Sequence, residues 1–402
     1  MSQVTRAQKI ENENEQNALE FFETMLESLP DPRRRQGLRY PLRSVVVIAL
    51  MSMVCGCDNA EAMGVWGELN EEWLRGHVEL PHGAPSQDVY LSVFAALDPL
   101  AFSKVFRAWS QWLMVHLGND ASHIAIDGKT SRRTRDLSNE IPALHTVSAW
   151  TSDAGLVLAQ CKTDVKSNEI TAIPELLRGL DLSKATITID AMGCQRDIAQ
   201  TIIEGGGDYL LAVKENQPTL HRDSIETFSE ANDDRFRTVD EEPRPSLEEV
   251  TSTEKGHGRI ETRTIRLCQN LAWVPSADRW DSLSCIVEVK RERLEIVSGK
   301  TSCETAYYIG SDPNMTAERA AQIIRRHWGI ENSLHWVLDM AFREDEARHR
   351  AKNTAQNLTT LRHFALNVIK QDKTRKVGIG IARQRAGWDK SYLIQLLTGA
   401  LS

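Results

Sequence analysis

Two aspartates in this sequence stand in the same local setting. Asp127 closes the run His-Ile-Ala-Ile-Asp and is followed by Gly128; Asp190 closes Thr-Ile-Thr-Ile-Asp and is followed by Ala191-Met192-Gly193. Both runs are short, apolar and β-branched, so each reads as a buried strand with a carboxylate at its carboxyl end. Ligand crevices of open α/β sheets lie just outside such strand ends. If the two strands are neighbours, two like charges come close together, and a cation between them offsets the repulsion. Mg²⁺ takes carboxylate oxygens and keeps water or phosphate in its other positions. A strand-final Asp is also a common turn former, and for either residue alone that is the simpler reading.

A third carboxylate is Glu331. On a single helix Ile324, His327, Trp328, Leu334, His335, Leu338 and Phe342 all lie within about 60° of it, which predicts Glu331 in the middle of a core-facing stripe. A buried carboxylate needs a proton, a partner or a metal. His327 and His335, each one turn away, are candidate partners; a third ligand to the same Mg²⁺ is the other reading. The order His327-x3-Glu331-x3-His335 is not the H-E-x-x-H pattern of zinc enzymes, so zinc is not expected there.

The elements that must hold these residues follow from pattern and punctuation. Strands are expected at His123–Asp127, Leu144–Thr151, Leu156–Thr163, Thr186–Asp190 and Tyr209–Val213, with helices at Asn168–Leu180 and Gln195–Glu204. Three sequential strands followed by helix–strand alternation predict an α/β fold, a mixed sheet covered by helices in the ribonuclease-H-like order. Residues 232–310 interrupt the pattern with strand-like runs at Arg259–Cys268, Leu283–Val289 and Thr305–Ile309, a β-rich insertion. Helices return from Thr316 through about Phe342. Residues 18–119 read as a helical N-terminal domain, with helices at Phe21–Leu29, Ser44–Cys55, Ala60–Leu74, Gln87–Leu97 and Ala101–Leu117, and residues 1–17 as a flexible tail. The catalytic domain is then 120–346, followed by a basic helical region, 347–402, with helices near Thr354–Lys370 and Ser391–Leu397.

At 402 residues, 41% hydrophobic and 26% charged, the chain has the composition of a globular protein rather than a disordered or fibrous one. The longest apolar run, Val45–Cys57, is shorter than the roughly 17–25 residues of a bilayer span, so it reads as a buried helix. The opening MSQVTRAQKIENENEQN has no secretory apolar stretch, and a cytoplasmic protein is expected. Seven scattered cysteines with no C-x-x-C pair indicate reduced structural thiols. Net charge is −8, yet residues 347–402 carry eleven Lys/Arg against two Asp, a local +9, leaving −17 on the rest. A basic region on an acidic body is one footprint of polyanion binding, although charge runs are as often simply solvated. Further basic candidates for phosphate contact are Arg33, Arg34 and Arg35, then Lys129, Arg132, Arg133 and Arg135 just after the first Asp. Lys214 and Asn216 stand at the end of the next sheet strand. Arg259, Glu261 and Arg263 alternate on one strand face, where a surface salt-bridge ladder explains them nearly as well as DNA.

Taken together, the blocks LPDPRRRQGLRYPL, IAIDGKTSRR, TIDAMGCQ, YLLAVKENQPTL, HGRIETRTI, RRHWGIENSLHWVLDMAFREDEAR and RAGWDKSYL make this chain similar to insertion-sequence transposases of the DDE type, the ISAs-type group that includes H-repeat-associated proteins. The resemblance runs from about Phe21 to Leu397. It implies that Asp127, Asp190 and Glu331 are the catalytic, metal-holding triad, 63 and 141 residues apart, with residues 232–310 as the β-rich insertion that the longer interval requires. It implies Mg²⁺, with Mn²⁺ able to substitute, and two-metal phosphodiester cleavage followed by strand transfer. The implied partners are DNA, as element ends and target, and further copies of the chain as a homo-oligomer, with no membrane. Many relatives carry Tyr-x2-Arg-x3-Glu-x6-Lys around the Glu. Here those positions are Ile324, His327, Glu331 and Leu338, so only the Glu matches, and Arg326, Asn332 and His335 are the candidates to contact DNA instead. The segment PSQDVYLSVFAALDP also departs from relatives near Val89 and Ser92, which keeps a catalytically inactive DNA-binding descendant as the alternative.

Overall fold

In a computed structural model the described residues are 17–34, 38–119, 121–136, 138–163, 169–230, 247–256 and 258–399. The first 16 residues, Arg35 and residues 231–246 at the start of the expected insertion lie outside them. Besides the single turn Glu71–Leu74, the described helices before the first strand are α1 (Ala18–Glu27), α2 (Leu42–Val54), α3 (Ala60–Leu69), α4 (Gln87–Ala96) and α5 (Pro99–His116). The strands are β1 (His123–Ser131), β2 (Leu144–Thr151), β3 (Leu156–Thr163), β4 (Thr186–Ile189), β5 (Asp208–Val213), β6 (Leu247–Gly256), β7 (Arg259–Cys268), β8 (Cys285–Glu295) and β9 (Thr301–Gly310). Helices α6 (Glu169–Arg178), α7 (Arg196–Glu204) and α8 (Pro218–Glu230) alternate with the middle strands. Helices α9 (Ala317–His327), α10 (Trp336–Phe342), α11 (Thr354–Lys370), α12 (Ile379–Trp388) and α13 (Lys390–Thr398) close the chain.

The chain divides into two compact units, one of residues 1–120, 128–166 and 331–402, the other of residues 121–127 and 167–330. In the second unit β1 and β4 pair in parallel, as do β4 and β5; β9 then pairs antiparallel with β5, and β8, β7 and β6 continue antiparallel outward. The result is a mixed sheet. Strand β4, Thr-Ile-Thr-Ile, is buried along its whole length, as expected of a central parallel strand covered on both faces. Its β-branched residues suit that environment. Helix α9 packs Ala320, Ile323 and Ile324 into a cluster with Leu210, Ile265, Val287 and Val289, which binds the parallel strands to the insertion.

In the first unit the apolar run from Val45 forms α2. Every residue of that helix except Arg43 is buried, as a helix that is apolar on all sides must be. It packs against α11, which also meets α5 and β3. Asn367 of α11 fixes that meeting: its side chain accepts from the Val157 amide at 2.9 Å and donates to the Val157 carbonyl at 2.8 Å. A buried side-chain amide thus takes the place of a neighbouring strand. The basic C-terminal region is partly internal. Arg362 is 2% exposed and Arg383 3%, and Arg383 donates to Asp58 at 2.6 Å and to the Met53 carbonyl.

No single described helix is long and apolar enough to cross a membrane, although the bent pair Gln87–Ala96 and Pro99–His116 would pass by length and composition together. All seven cysteines are free thiols.

Candidate active site

The register of β1 and β4 decides where the two aspartates emerge. Ile126 is the direct partner of Ile189 in a parallel pair, so Asp127 and Asp190 are the next residues on adjacent strands, at the same end of the sheet. Parallel neighbours lie about 4.8 Å apart. Asp190 also caps the short helical turn after β4. Its Oδ1 accepts from the amides of Met192 at 3.0 Å and Gly193 at 3.3 Å, while Oδ2 has no protein partner among the described residues. The turn must pass so close to the strand that a Cβ at Gly193 would collide with the Ile189 side chain. Asn216 donates to the Ala191 carbonyl at 2.6 Å, tying the loop after β5 to the same turn. Gly193 is therefore what lets the turn hold the carboxylate at the strand end.

Helix α9 runs in the same direction as β4. Arg319 reaches the Thr186 hydroxyl at 3.5 Å near the helix start, and His327 Nδ1 meets the Thr188 hydroxyl at 2.9 Å at its end. The same hydroxyl meets His123 Nε2 of β1 at 2.8 Å. Two buried-strand residues and a helix end are thus joined through one Thr side chain, a link that strand and helix periodicities did not reveal. Between those contacts the helix advances eight residues, about 12 Å, and the strand two residues, about 7 Å. The end of α9 therefore projects past the strand on the side where Asp190 emerges. Ile330 follows, fully buried.

Glu331 itself does not face the core. Residues Glu331–His335 form a π-helical turn between α9 and α10. The extra residue in that turn advances the chain by roughly 100° and carries Glu331 off the apolar stripe. Its side chain is 53% exposed, whereas His335 is 7% exposed, with Nδ1 3.4 Å from Glu331 Oε2. Trp328, expected on the same stripe, is likewise 52% exposed. The continuous amphipathic helix expected through Phe342 is replaced by two helices with a π-turn, a feature frequent at functional sites.

The basic candidates fall into two groups. Arg34, Arg132, Arg133, Lys214, Arg326 and Asn332 are exposed, as is Asn216 apart from its bond to Ala191. Arg33 is committed within the chain, to Asp31 through Nε at 2.8 Å and to the Tyr40 carbonyl at 2.8 Å. Lys129 is 9% exposed, with its ammonium 2.6 Å from Asp339, 3.7 Å from Asp345 and 3.9 Å from Glu344. His335 is buried beside Glu331, where it can orient that carboxylate. On the insertion, Glu261 is surrounded by Arg263, Arg293 at 2.9 Å, Arg291 at 3.8 Å and Arg259 at 3.9 Å. These alternating charges form the salt-bridge ladder.

Oxygen-only donors on two neighbouring strand ends match a hard divalent cation. Mg²⁺ is commonly bound by one or two carboxylates with substrate phosphate completing the set. An Asp190 held by two backbone amides through one oxygen keeps its other oxygen available for such an ion.

The Transposase DDE domain profile matches residues 118–368, and the DDE_Tnp_1-associated profile matches residues 23–110. The H repeat-associated protein YhhI of Escherichia coli (strain K12) is 35% identical over 92% of this chain and 96% of its own length. The protein YbfL of the same strain is 35% identical over the same shares. Among solved structures, a piggyBac transposase synaptic complex with hairpin DNA aligns over 97% of this chain and 83% of that one, with 10% identity and a TM-score of 0.42.

Proposed function

Because this chain belongs to the DDE transposase family, we propose that it cleaves DNA at the ends of a mobile element and joins the freed ends to target DNA, using Asp127, Asp190 and Glu331. The observation that carries the reading is the Ile126–Ile189 pairing, which sends two carboxylates off adjacent parallel strands side by side. Glu331 joins them in this reading as the third carboxylate of the family resemblance. The parallel strands β1, β4 and β5 also support a ribonuclease-H-like core within residues 120–346. In this reading the antiparallel strands are the insertion of 232–310, flanked by the helical region 18–119 and the basic helical region 347–402.

The three carboxylates would hold Mg²⁺, or Mn²⁺ in its place. Bound there, a pair of such ions supplies an activated attacking oxygen and charge stabilisation at the leaving oxygen. The chain's own contribution is to fix the oxygens. The amides of Met192 and Gly193 hold Asp190, Asn216 holds the turn those amides belong to, and His335 orients Glu331. Arg132, Arg133, Lys214, Asn216, Arg326 and Asn332 supply exposed donors for phosphates, with Arg33, Arg34 and Arg35 as a separate basic segment; phosphate contacts of this kind set register rather than sequence. Lys129 serves the fold through its acidic neighbours and comes to DNA second. We further propose a homo-oligomer on paired element ends, working in the cytoplasm.

The test is a strand-transfer assay. The full chain is given labelled DNA from both flanks of its own gene, a plasmid target and Mg²⁺ or Mn²⁺, with Asp190→Asn alongside. Metal-dependent joined products from the wild type alone support the proposal. DNA retardation that is identical for both proteins, with no cleavage, overturns it in favour of an inactive DNA-binding descendant.

A further inference from the structure

Within the first unit, a cavity of about 460 Å³ opens between the amino ends of α3 and α4, the segment after α10, and α11. Its size is that of a small-ligand pocket. Arg362 of α11 lines it and is 2% exposed. A guanidinium has five N–H donors, yet none of those of Arg362 has a hydrogen-bond acceptor among the described residues, and Nε is fully enclosed. Its nearest anion, Glu344, stands 3.8 Å from Nη1. A charge buried with so little compensation is costly, and sites that keep one are built for a counter-charge.

The rest of the lining favours an anion. Asn59 and Ala60 bring in the start of α3, and Gln87 that of α4. Ser86, which precedes α4, makes no side-chain capping bond; its carbonyl takes the Val89 amide at 3.0 Å, and Asp88 stands in the same first turn. Arg343 and Arg348 are exposed at the rim. Of the acidic residues of the lining, Asp58 pairs with Arg383 at 2.6 Å and also acts on Arg362 through its charge, Glu346 pairs with Arg343 at 3.2 Å, and Glu61 is exposed in the first turn of α3. His349 lines the same cavity, and burial together with the nearby Arg362 pushes its pKa down to about 4, so its ring is neutral at pH 7.

We infer that this cavity is a seat for a phosphate group, with Arg362 at its floor, the amino ends of α3 and α4 on its wall, and Arg348 at its rim. That the phosphate arrives on a DNA strand rests on the transposase reading above; the seat itself does not.

The experiment uses the full chain and two variants. Arg362→Gln removes the floor charge, and Gln87→Trp fills the cavity from an exposed position without touching a buried charge. Unfolding midpoints are measured with inorganic phosphate against chloride at equal ionic strength, and DNA affinity is measured as a function of salt. We expect phosphate to raise the wild-type midpoint saturably and to leave both variants unmoved. Gln87→Trp should lower DNA affinity by about tenfold and reduce the salt slope by about one. If Arg362→Gln does not fold, Gln87→Trp alone carries the comparison. Phosphate stabilisation without any change in DNA affinity keeps the seat and overturns DNA as its source, leaving free phosphate or a nucleotide. Absence of phosphate stabilisation in a wild type that cleaves and joins DNA overturns the seat and leaves the catalytic reading standing. A wild type that binds phosphate here but never cleaves separates the two in the other direction.

Discussion

Ile126 and Ile189 face each other across a parallel pair, and the residue after each is an aspartate. The consequence is chemical: a one-residue slip of either strand would send its carboxylate to the opposite face of the sheet. The register is held by burial on both sides of β4 and by the Thr188 hydroxyl, which lies between His123 on β1 and His327 on α9.

Asp190 has two separable roles, and two substitutions part them. An Asn side chain can still accept from the Met192 and Gly193 amides, whereas Ala cannot. We expect Asp190→Asn to keep the wild-type unfolding midpoint, and Asp190→Ala to lose about 1 kcal/mol, the usual cost of a cap. Both should lower metal-dependent DNA cleavage by about a hundred- to a thousandfold, a loss typical of removing one electrostatic stabiliser of a transition state. Denaturant titration and a cleavage time course check the pair. Appreciable cleavage by Asp190→Asn would remove Asp190 from the site.

Thr188→Val tests the link between strand and helix end. Valine keeps the shape and removes the hydroxyl, leaving two ring nitrogens without that partner. A loss of about 1–3 kcal/mol is expected. Because α9 leads directly to Glu331, cleavage should fall by on the order of ten- to a hundredfold even where the protein is fully folded. A fully active Thr188→Val protein would show that the helix end is positioned by other contacts.

Much of this arrangement was legible in the sequence, and what was missed has physical causes. The strands at 144–151, 156–163 and 259–268 coincide with their β-branched runs, and the helix at 354–370 follows its apolar spacing. Strand β6 was not foreseen. Its sequence Leu-Glu-Glu-Val-Thr-Ser-Thr-Glu-Lys-Gly has no buried residue, because an edge strand paired on one side can be solvated on both faces.

Glu331 shows the limit of helical periodicity in a different way. The positions before and after it obey the 3.6-residue repeat, with Ile324, Leu334, Leu338 and Phe342 all buried. The π-turn between them adds one residue, and no propensity in Glu-Asn-Ser-Leu-His announces it. Charge counting fails for a related reason. Arg362 and Arg383 enter the local excess of the C-terminal region on equal terms with exposed residues, although both are interior and Arg383 is spent on Asp58 and a backbone carbonyl.

Asn367 offers a test of the first unit alone. Replacing it with Leu keeps the volume approximately and leaves both the amide and the carbonyl of Val157 without their bonds. Each buried backbone group so orphaned costs about 1–3 kcal/mol, so a total loss of roughly 2–5 kcal/mol is expected by urea titration. A change below about 0.5 kcal/mol would mean that α11 and β3 rearrange freely around the site.

The last prediction concerns acid. Burial works to raise the pKa of Glu261, but the hydrogen bond from Arg293 and the charges of Arg263, Arg293 and Arg291 outweigh it and hold the carboxyl below its ordinary 4.5. A carboxylate depressed in the folded state stabilises the fold fully above its unfolded value, and that contribution disappears as pH falls through the lowered folded value. Glu261→Gln should therefore destabilise the insertion most near neutral pH, where Arg259, Arg263, Arg291 and Arg293 are left facing one another. The difference from wild type should stay constant down to about pH 5 and close progressively below it. Unfolding midpoints of the two proteins across that range read this directly. A gap that is independent of pH would mean that Glu261 contributes by packing and hydrogen bonding rather than through its charge.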